Sequence, residues 1–255
     1  AALPGIAFRG ESPTARRLVE QLPFSLTEAQ RRVLREIVGD MREERPMNRL
    51  LQGDVGSGKT IVALLAMLLA VDNGHQSALM VPTEILAEQH FRTITSMVDD
   101  LSLKVELLTG QQAGSAKNAR LAAVTNGDVD IVVGTHALIQ DTVQFQSLGL
   151  VVIDEQHRFG VAQRADLRSK GNAPDVLVMT ATPIPRTLSM TLYGDLDVSI
   201  IDQLPAHRKR VRTAIRFDED RESVYDFLRE EVGAGNQAYI VFPLVNESEK
   251  MDLKA

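Results

Sequence analysis

Eight consecutive residues, Gly53-Asp54-Val55-Gly56-Ser57-Gly58-Lys59-Thr60, fit the spacing G-x-x-x-x-G-K-[ST] without a mismatch. Glycines at these places let backbone N–H groups close on phosphate oxygens, and a helix opening at Lys59 would turn its N-terminal dipole on the same anion. Lys59 has the reach and charge for β- and γ-phosphates, and Thr60 brings a hydroxyl for Mg²⁺. Further along, an apolar run ends in Asp154-Glu155-Gln156-His157. Two adjacent carboxylates at a strand end can divide the work, Asp154 toward Mg²⁺ through a water and Glu155 toward an attacking water as general base. A glycine-rich turn would match the first motif alone, and an acidic turn the second. Together they point to hydrolysis of a nucleoside triphosphate.

Such residues act only if elements hold them. Thr27 reads as the N-cap of a helix whose stripe is Val33, Leu34, Ile37, Val38 and Met41, with Pro46 after its end. A strand at 48–52 feeds the glycine loop, and 59–72 is a helix apolar on nearly every side, which suits burial against a sheet. Further strands are expected at 78–81, 105–108, 131–133, 150–153 and 176–179, with helices at 85–98 and 115–124 between them. Continuous apolar strands alternating with helices predict a doubly wound α/β fold with a parallel sheet. Ligands collect at the carboxyl ends of such strands. The glycine loop, Pro82-Thr83-Glu84, Gly134-Thr135-His136, Asp154-Glu155 and Thr180-Ala181-Thr182 all begin where an expected strand stops.

Three stretches divide the chain. Residues 1–22 mix Pro, Gly and Ser with a short helix at 14–21 and read as a linker from a preceding domain. Residues 23–204 make the α/β domain. After Pro205 and the cluster His207-Arg208-Lys209-Arg210 with Arg212, a strand at 213–217, a helix at 221–232 and a strand at 238–242 read as the truncated start of a second domain.

Composition excludes several classes. Without cysteine there is no disulfide scaffold, zinc knuckle or thiol nucleophile, so any metal must be held by oxygen or imidazole. The longest apolar run, 61–71, is too short for a bilayer and no leader opens the chain, so a cytoplasmic protein with no membrane partner is expected. A net charge of −6 argues against a uniformly basic nucleic-acid coat. The absence of Trp argues against a base-stacking platform, which leaves backbone contacts as the mode for any nucleic acid.

Gln30, the glycine loop, Pro82-Thr83-Glu84-Ile85-Leu86, Gly134-Thr135-His136, Asp154-Glu155-Gln156-His157 and Thr180-Ala181-Thr182-Pro183 resemble, in order, the motifs of the first motor domain of superfamily 2 helicases. More narrowly, the stretches 52–60, 154–161 and 180–188 resemble the RecG family of bacterial branch-migration helicases, and the likeness runs through 23–205. It implies a RecA-like domain with the start of a second, ATP and Mg²⁺ as ligands, and a 3′–5′ DNA helicase. By the same likeness the protein works as a monomer at the bacterial nucleoid on branched DNA, forks and Holliday junctions, in recombination and repair. Gln30 would read adenine near Phe24 or Leu26. Gln156 and His157 would sense the γ-phosphate, with Thr180 and Thr182 passing on its loss. Pro82, Thr83, Glu84, Gly134, Thr135 and His136 would follow the DNA backbone.

Each of these roles has a plainer counterpart. Gln30 also suits a solvated helix position, Thr83 a helix cap, and Arg158, Arg164, Arg186 and the 208–212 cluster a solvated face as well as a basic track. The translocase family that couples transcription to repair is similar at most motifs but usually carries a second glutamate where Gln156 stands. In these families a second motor domain supplies an arginine to the ATP site, which implies weak nucleotide binding and no unwinding by these 255 residues alone. A small-molecule kinase and a nucleotide-gated binding module without turnover are the rival readings. The kinase lacks an arginine-rich lid here, and Glu155 speaks for turnover.

Overall fold

Seven strands lie parallel in one sheet, in the order β3-β4-β2-β5-β6-β1-β7. They are β1 Asn48–Gly53, β2 Gln76–Met80, β3 Val105–Leu108, β4 Ile131–Gly134, β5 Leu148–Asp154, β6 Asp175–Thr180 and β7 Asp197–Ile201. Around them run α1 Pro13–Gln21, α2 Glu28–Met41, α3 Lys59–Asp72, α4 Glu84–Val98 and α5 Ser115–Thr125. The computed structural model describes residues 4–110, 115–154, 170–171, 173–182, 196–203 and 212–241.

The central strands are apolar at successive positions because both faces are covered. In β5, Leu150 and Val152 point into a core shared with α1 to α4, while Val151 and Ile153 join the core of the opposite face. Leu79 and Leu177 belong to the first set, Ala78 and Val176 to the second. Helix α3 is buried at every position from Ile61 to Ala70, as its all-round apolar sequence requires. The α/β expectation is met, with every strand pair parallel.

Two differences from the sequence reading have physical causes. β2 begins two residues before the apolar run, because Gln76 and Ser77 are buried with their polar atoms satisfied. Gln76 Nε2 donates to the carbonyls of Val124 and Val129, and Ser77 Oγ donates to that of Met67. β7 was not expected at all. Asp197 opens it and only alternate residues turn inward, so no continuous apolar run marks it; pairing with β1, from Arg49↔Asp197 to Gly53↔Ile201, makes it a strand.

The segment read as a linker carries its helix at Pro13–Gln21 and packs onto the sheet's helical layer. Phe8 and Leu18 are buried in the core beside α3. Asp72, at the end of α3, accepts 2.5 Å hydrogen bonds from Ser12 Oγ and Thr14 Oγ1.

The chain divides into two compact units, Ala1–Arg208 and Lys209–Ala255. Among its described residues the second holds one helix, α6 Arg221–Gly233, entered through a short 3₁₀ turn at Asp218–Asp220. The strands expected at 213–217 and 238–242 are absent from 213–217 and 238–241, and 242 lies outside the described residues. A strand exists by pairing, and the described residues of this unit offer neither segment a neighbour.

Candidate nucleotide-binding site

β1 ends at Gly53, and the chain turns with Ser57 N donating to Asp54 O at 3.0 Å. Gly56 and Gly58 take φ of +76° and +87°, left-handed conformations that glycine adopts without strain. Crowding makes the same demand. A Cβ on Gly58 would lie 2.2 Å from Gln30 Nε2, and one on Gly53 would lie 2.6 Å from Ser57 Oγ. Helix α3 then starts at Lys59 with Gly58 as its N-cap and no side chain capping it. A helix start without a side-chain cap, at the end of a glycine loop, is the arrangement that binds phosphate.

Asp54, Val55 and Gly56 are exposed, so the crown of the loop opens to solvent. Lys59 Nζ donates to the carbonyls of Gly53 at 2.6 Å and Asp54 at 3.1 Å, which folds the ammonium back over the loop. Ser57 is fully buried, and its Oγ has no hydrogen-bond partner among the described residues. Thr60 is half-buried on the first turn of α3. An unsatisfied buried hydroxyl, an uncapped helix start and a lysine over a loop where Cβ atoms do not fit together suit a phosphate chain.

Gln30 is no solvated residue. It is 3% exposed, its Oε1 accepts from Thr27 N at 2.8 Å, and its Nε2 donates to Ser57 O at 2.7 Å. With Thr27 Oγ1 accepting from Gln30 N, this is a capping box that also clamps the glycine loop. The residue expected to read a base fixes the loop in this structure. Phe24 is 43% exposed nearby in sequence, and Leu26 is buried.

Asp154 closes β5, level with Met179 of β6; Thr180 of β6 is level with Gln52 of β1. Only β6 separates the carboxylate's strand from the strand feeding the loop, a spacing of about 10 Å. Its Oδ2 lies 3.0 Å from His90 Nε2 on α4, with both side chains mostly buried. His90 was missed in the sequence. The signal was there: it falls on the inward stripe of α4 with Ala87 and Ile94, where a polar residue needs a partner. Glu155, Gln156 and His157 lie outside the described residues.

Thr180 Oγ1 is 2.8 Å from Thr182 Oγ1 and accepts from Thr182 N at 3.2 Å, so the two threonines form one unit at the end of β6. A cavity of about 200 Å³ opens beside it, lined by Gln52, Gly53, Asp54, Ala181, Ile200 and Gln203. Gln203 Oε1 accepts from Ala29 N, which ties the end of β7 to the helix carrying Gln30. A larger cleft of about 380 Å³ lies between α4 and the start of β3 and holds none of the expected site residues.

The remaining strand ends are mixed. Pro82, Thr83 and Glu84 are half-buried, and Thr83 Oγ1 caps α4 by accepting from Leu86 N. Gly134 is packed so closely that a Cβ would meet Leu108 O at 2.4 Å. Thr135 is buried and its hydroxyl accepts from Ala137 N, while His136 is exposed. The plainer role of Thr83 as a helix cap is realised, and Thr135 caps the short turn that follows it.

A parallel sheet whose first strand delivers a phosphate loop, with an acidic strand end two strands away, defines a RecA-like nucleotide-binding domain of the P-loop class. The chain belongs to the DEAD/DEAH box helicase family, whose model matches residues 27–191. It is 56% identical to the ATP-dependent DNA helicase RecG of Synechocystis sp. over 92% of this chain and 28% of that protein. It is 52% identical to that of Bacillus subtilis over 98% of this chain and 37% of that protein. The solved structure of RecG bound to a three-way DNA junction superposes with a TM-score of 0.84 at 48% identity, over 95% of this chain and 32% of that one. The helicase MrfA bound to DNA, 18% identical with a TM-score of 0.64 over 90% of this chain and 37% of that one, shares the fold. The chain spans about a third of the length of the curated relatives it matches. No helix among the described residues is long and apolar enough to cross a membrane.

Proposed function

We propose that residues 23–204 are the first motor domain of a RecG-type DNA helicase, which hydrolyses ATP to remodel branched DNA in recombination and repair. One observation carries the reading: the glycine loop, Asp154, Thr180-Ala181-Thr182, Pro82-Thr83-Glu84 and Gly134-Thr135-His136 share the carboxyl edge of a single sheet. Its support beyond geometry is the 48% identity to a RecG that binds a three-way DNA junction.

Lys59 and the loop amides hold the β- and γ-phosphates. Thr60 and Asp154 are the residues that would hold Mg²⁺, a hard-oxygen donor pair suited to it. Bound there, the ion would neutralise charge on the phosphate oxygens. Glu155 accepts a proton from water as its oxygen attacks the γ-phosphorus. The bond to the β,γ-bridging oxygen breaks, and ADP and phosphate result. Gln156 and His157 sense the γ-phosphate, and the Thr180-Thr182 unit relays its loss to the strand ends. Those ends grip the DNA backbone, which carries no sequence information. The protein acts as a monomer at the nucleoid.

The test is ATP hydrolysis by the full-length protein with and without a three-way junction. Stimulation by DNA is expected, and its abolition in Lys59→Ala. Full activity without nucleic acid would sink the helicase reading.

A further inference from the structure

Asp154 is held by a side chain from outside the strand that carries it. His90 Nε2 lies 3.0 Å from Asp154 Oδ2, and the two side chains are only 12% and 16% exposed. An ionised carboxylate only accepts hydrogen bonds, so the ring donates Nε2–H to it. His90 stands on α4, whose first turn is capped by Thr83. Seven residues of helix, about 10 Å, separate that cap from the imidazole. One rigid element thus joins the Pro82-Thr83-Glu84 strand end to the carboxylate of β5.

We propose that His90 is a positioning residue for Asp154. Its Nε2–H fixes the rotation of the metal-binding carboxylate, and through α4 that rotation follows the position of the Pro82-Thr83 end of the helix. The inference rests on reading Asp154 as a Mg²⁺ ligand and Pro82-Thr83 as part of the DNA track. A carboxylate turns about its Cα–Cβ and Cβ–Cγ bonds unless one oxygen is held, and partners that hold a ligand set its affinity for metal. Motion of α4 along its axis changes the length of this hydrogen bond with no contact between DNA and metal. The two sites are then coupled by a packed element with a defined contact at each end.

The full-length protein is titrated with Mn²⁺ in the presence of ADP, and the free ion is followed by electron paramagnetic resonance, with and without a three-way junction. His90→Phe keeps a ring and loses the donor. It is expected to weaken Mn²⁺ binding about 10-fold, with ADP affinity in EDTA unchanged and any shift on adding DNA lost. His90→Gln, whose amide reaches the Nε2 position, restores most of the affinity. Wild-type Mn²⁺ affinity in His90→Phe overturns the positioning role. A DNA-induced shift that is missing in the wild type, or that persists in His90→Phe, overturns the coupling. Should His90→Phe lose its cooperative melting transition, His90→Asn against His90→Gln decides, since both amides are small and polar and only the longer one reaches; equal affinities overturn the role. A wild type that binds no Mn²⁺ with ADP overturns the nucleotide reading itself, whereas normal wild-type binding with indifferent variants overturns only His90.

Discussion

At Gly58 two demands coincide, a left-handed φ of +87° and the space taken by Gln30 Nε2. Alanine there costs about 1–2 kcal/mol in backbone strain and displaces the Gln30 amide from Ser57 O, a further loss of about 1 kcal/mol. Gly58→Ala is expected to lower the urea midpoint and to weaken nucleotide binding together. Gly39 is the control: it lies inside α2 with nothing near its missing Cβ, so Gly39→Ala should stabilise by about 0.5–1 kcal/mol. Unchanged nucleotide affinity in Gly58→Ala would show that the loop is not the phosphate site. A second residue ties stability to acidity. His75 sits edge-on to Phe8 at 5.4 Å with Ser147 Oγ 2.8 Å from its Nδ1, and burial lowers its pKa below the ordinary 6.5. The folded form then binds fewer protons than the unfolded one between the lowered value and 6.5. Stability should be unaffected by this group above that window and fall as pH drops through it. In His75→Gln the loss of melting temperature between pH 7 and pH 5 should shrink; an identical pH profile would remove His75 as the cause.

Elements are held in register by a buried polar network as much as by apolar packing. Arg49 of β1 donates to Asp40 of α2 at 2.7 Å and to Ser199 of β7 at 2.9 Å, with Glu36 at 3.7 Å, and its side chain is 11% exposed. Arg49→Met leaves Asp40 without its cation and Glu36 with Arg32 alone, 3.9 Å away. A fully buried pair broken this way loses about 3–5 kcal/mol. Asp40 and Glu36 keep some solvent, so a loss of about 2–3 kcal/mol is expected, read as a lower urea midpoint at constant slope. A change below about 0.5 kcal/mol would mean that the network is ornamental to the α2–β1–β7 seam. The same seam shows why the sequence was legible in part. β5 and β6 advertise themselves as continuous apolar runs because both of their faces are buried, whereas β1, with only Leu50 and Leu51 apolar, is marked by the glycine loop it feeds. β7 and the first residues of β2 are strands through partners that no local pattern reveals, Arg49 for Ser199 and two backbone carbonyls for Gln76. In the site, the glycine loop and Asp154 were readable because their spacing is dictated by the phosphate. His90 and the clamp of Gln30 on Ser57 depend on which helices the sheet brings over its edge, and that is tertiary information.

On the scale of the molecule, an acidic chain is proposed to grip a polyanion. With a net charge of −6 over these 255 residues, the chain's overall charge does not supply the attraction. The contacts proposed for it are backbone amides and polar side chains gathered at one sheet edge, and these position DNA without reading it. Of the strand-end residues, His136 is exposed at the start of a 3₁₀ turn, His136–Ile139, that Thr135 caps, so its side chain can be removed without disturbing α4 or that turn. His136→Ala is expected to leave melting temperature unchanged and to weaken junction binding about 2- to 10-fold, the worth of one hydrogen bond. The loss should be the same for junctions of different base sequence and equal branch geometry, because a phosphate contact is blind to bases. Fluorescence anisotropy on two junctions of opposite base composition checks this. A loss confined to one sequence would make His136 a base reader, and no loss on either would move the track away from the Gly134-Thr135-His136 strand end.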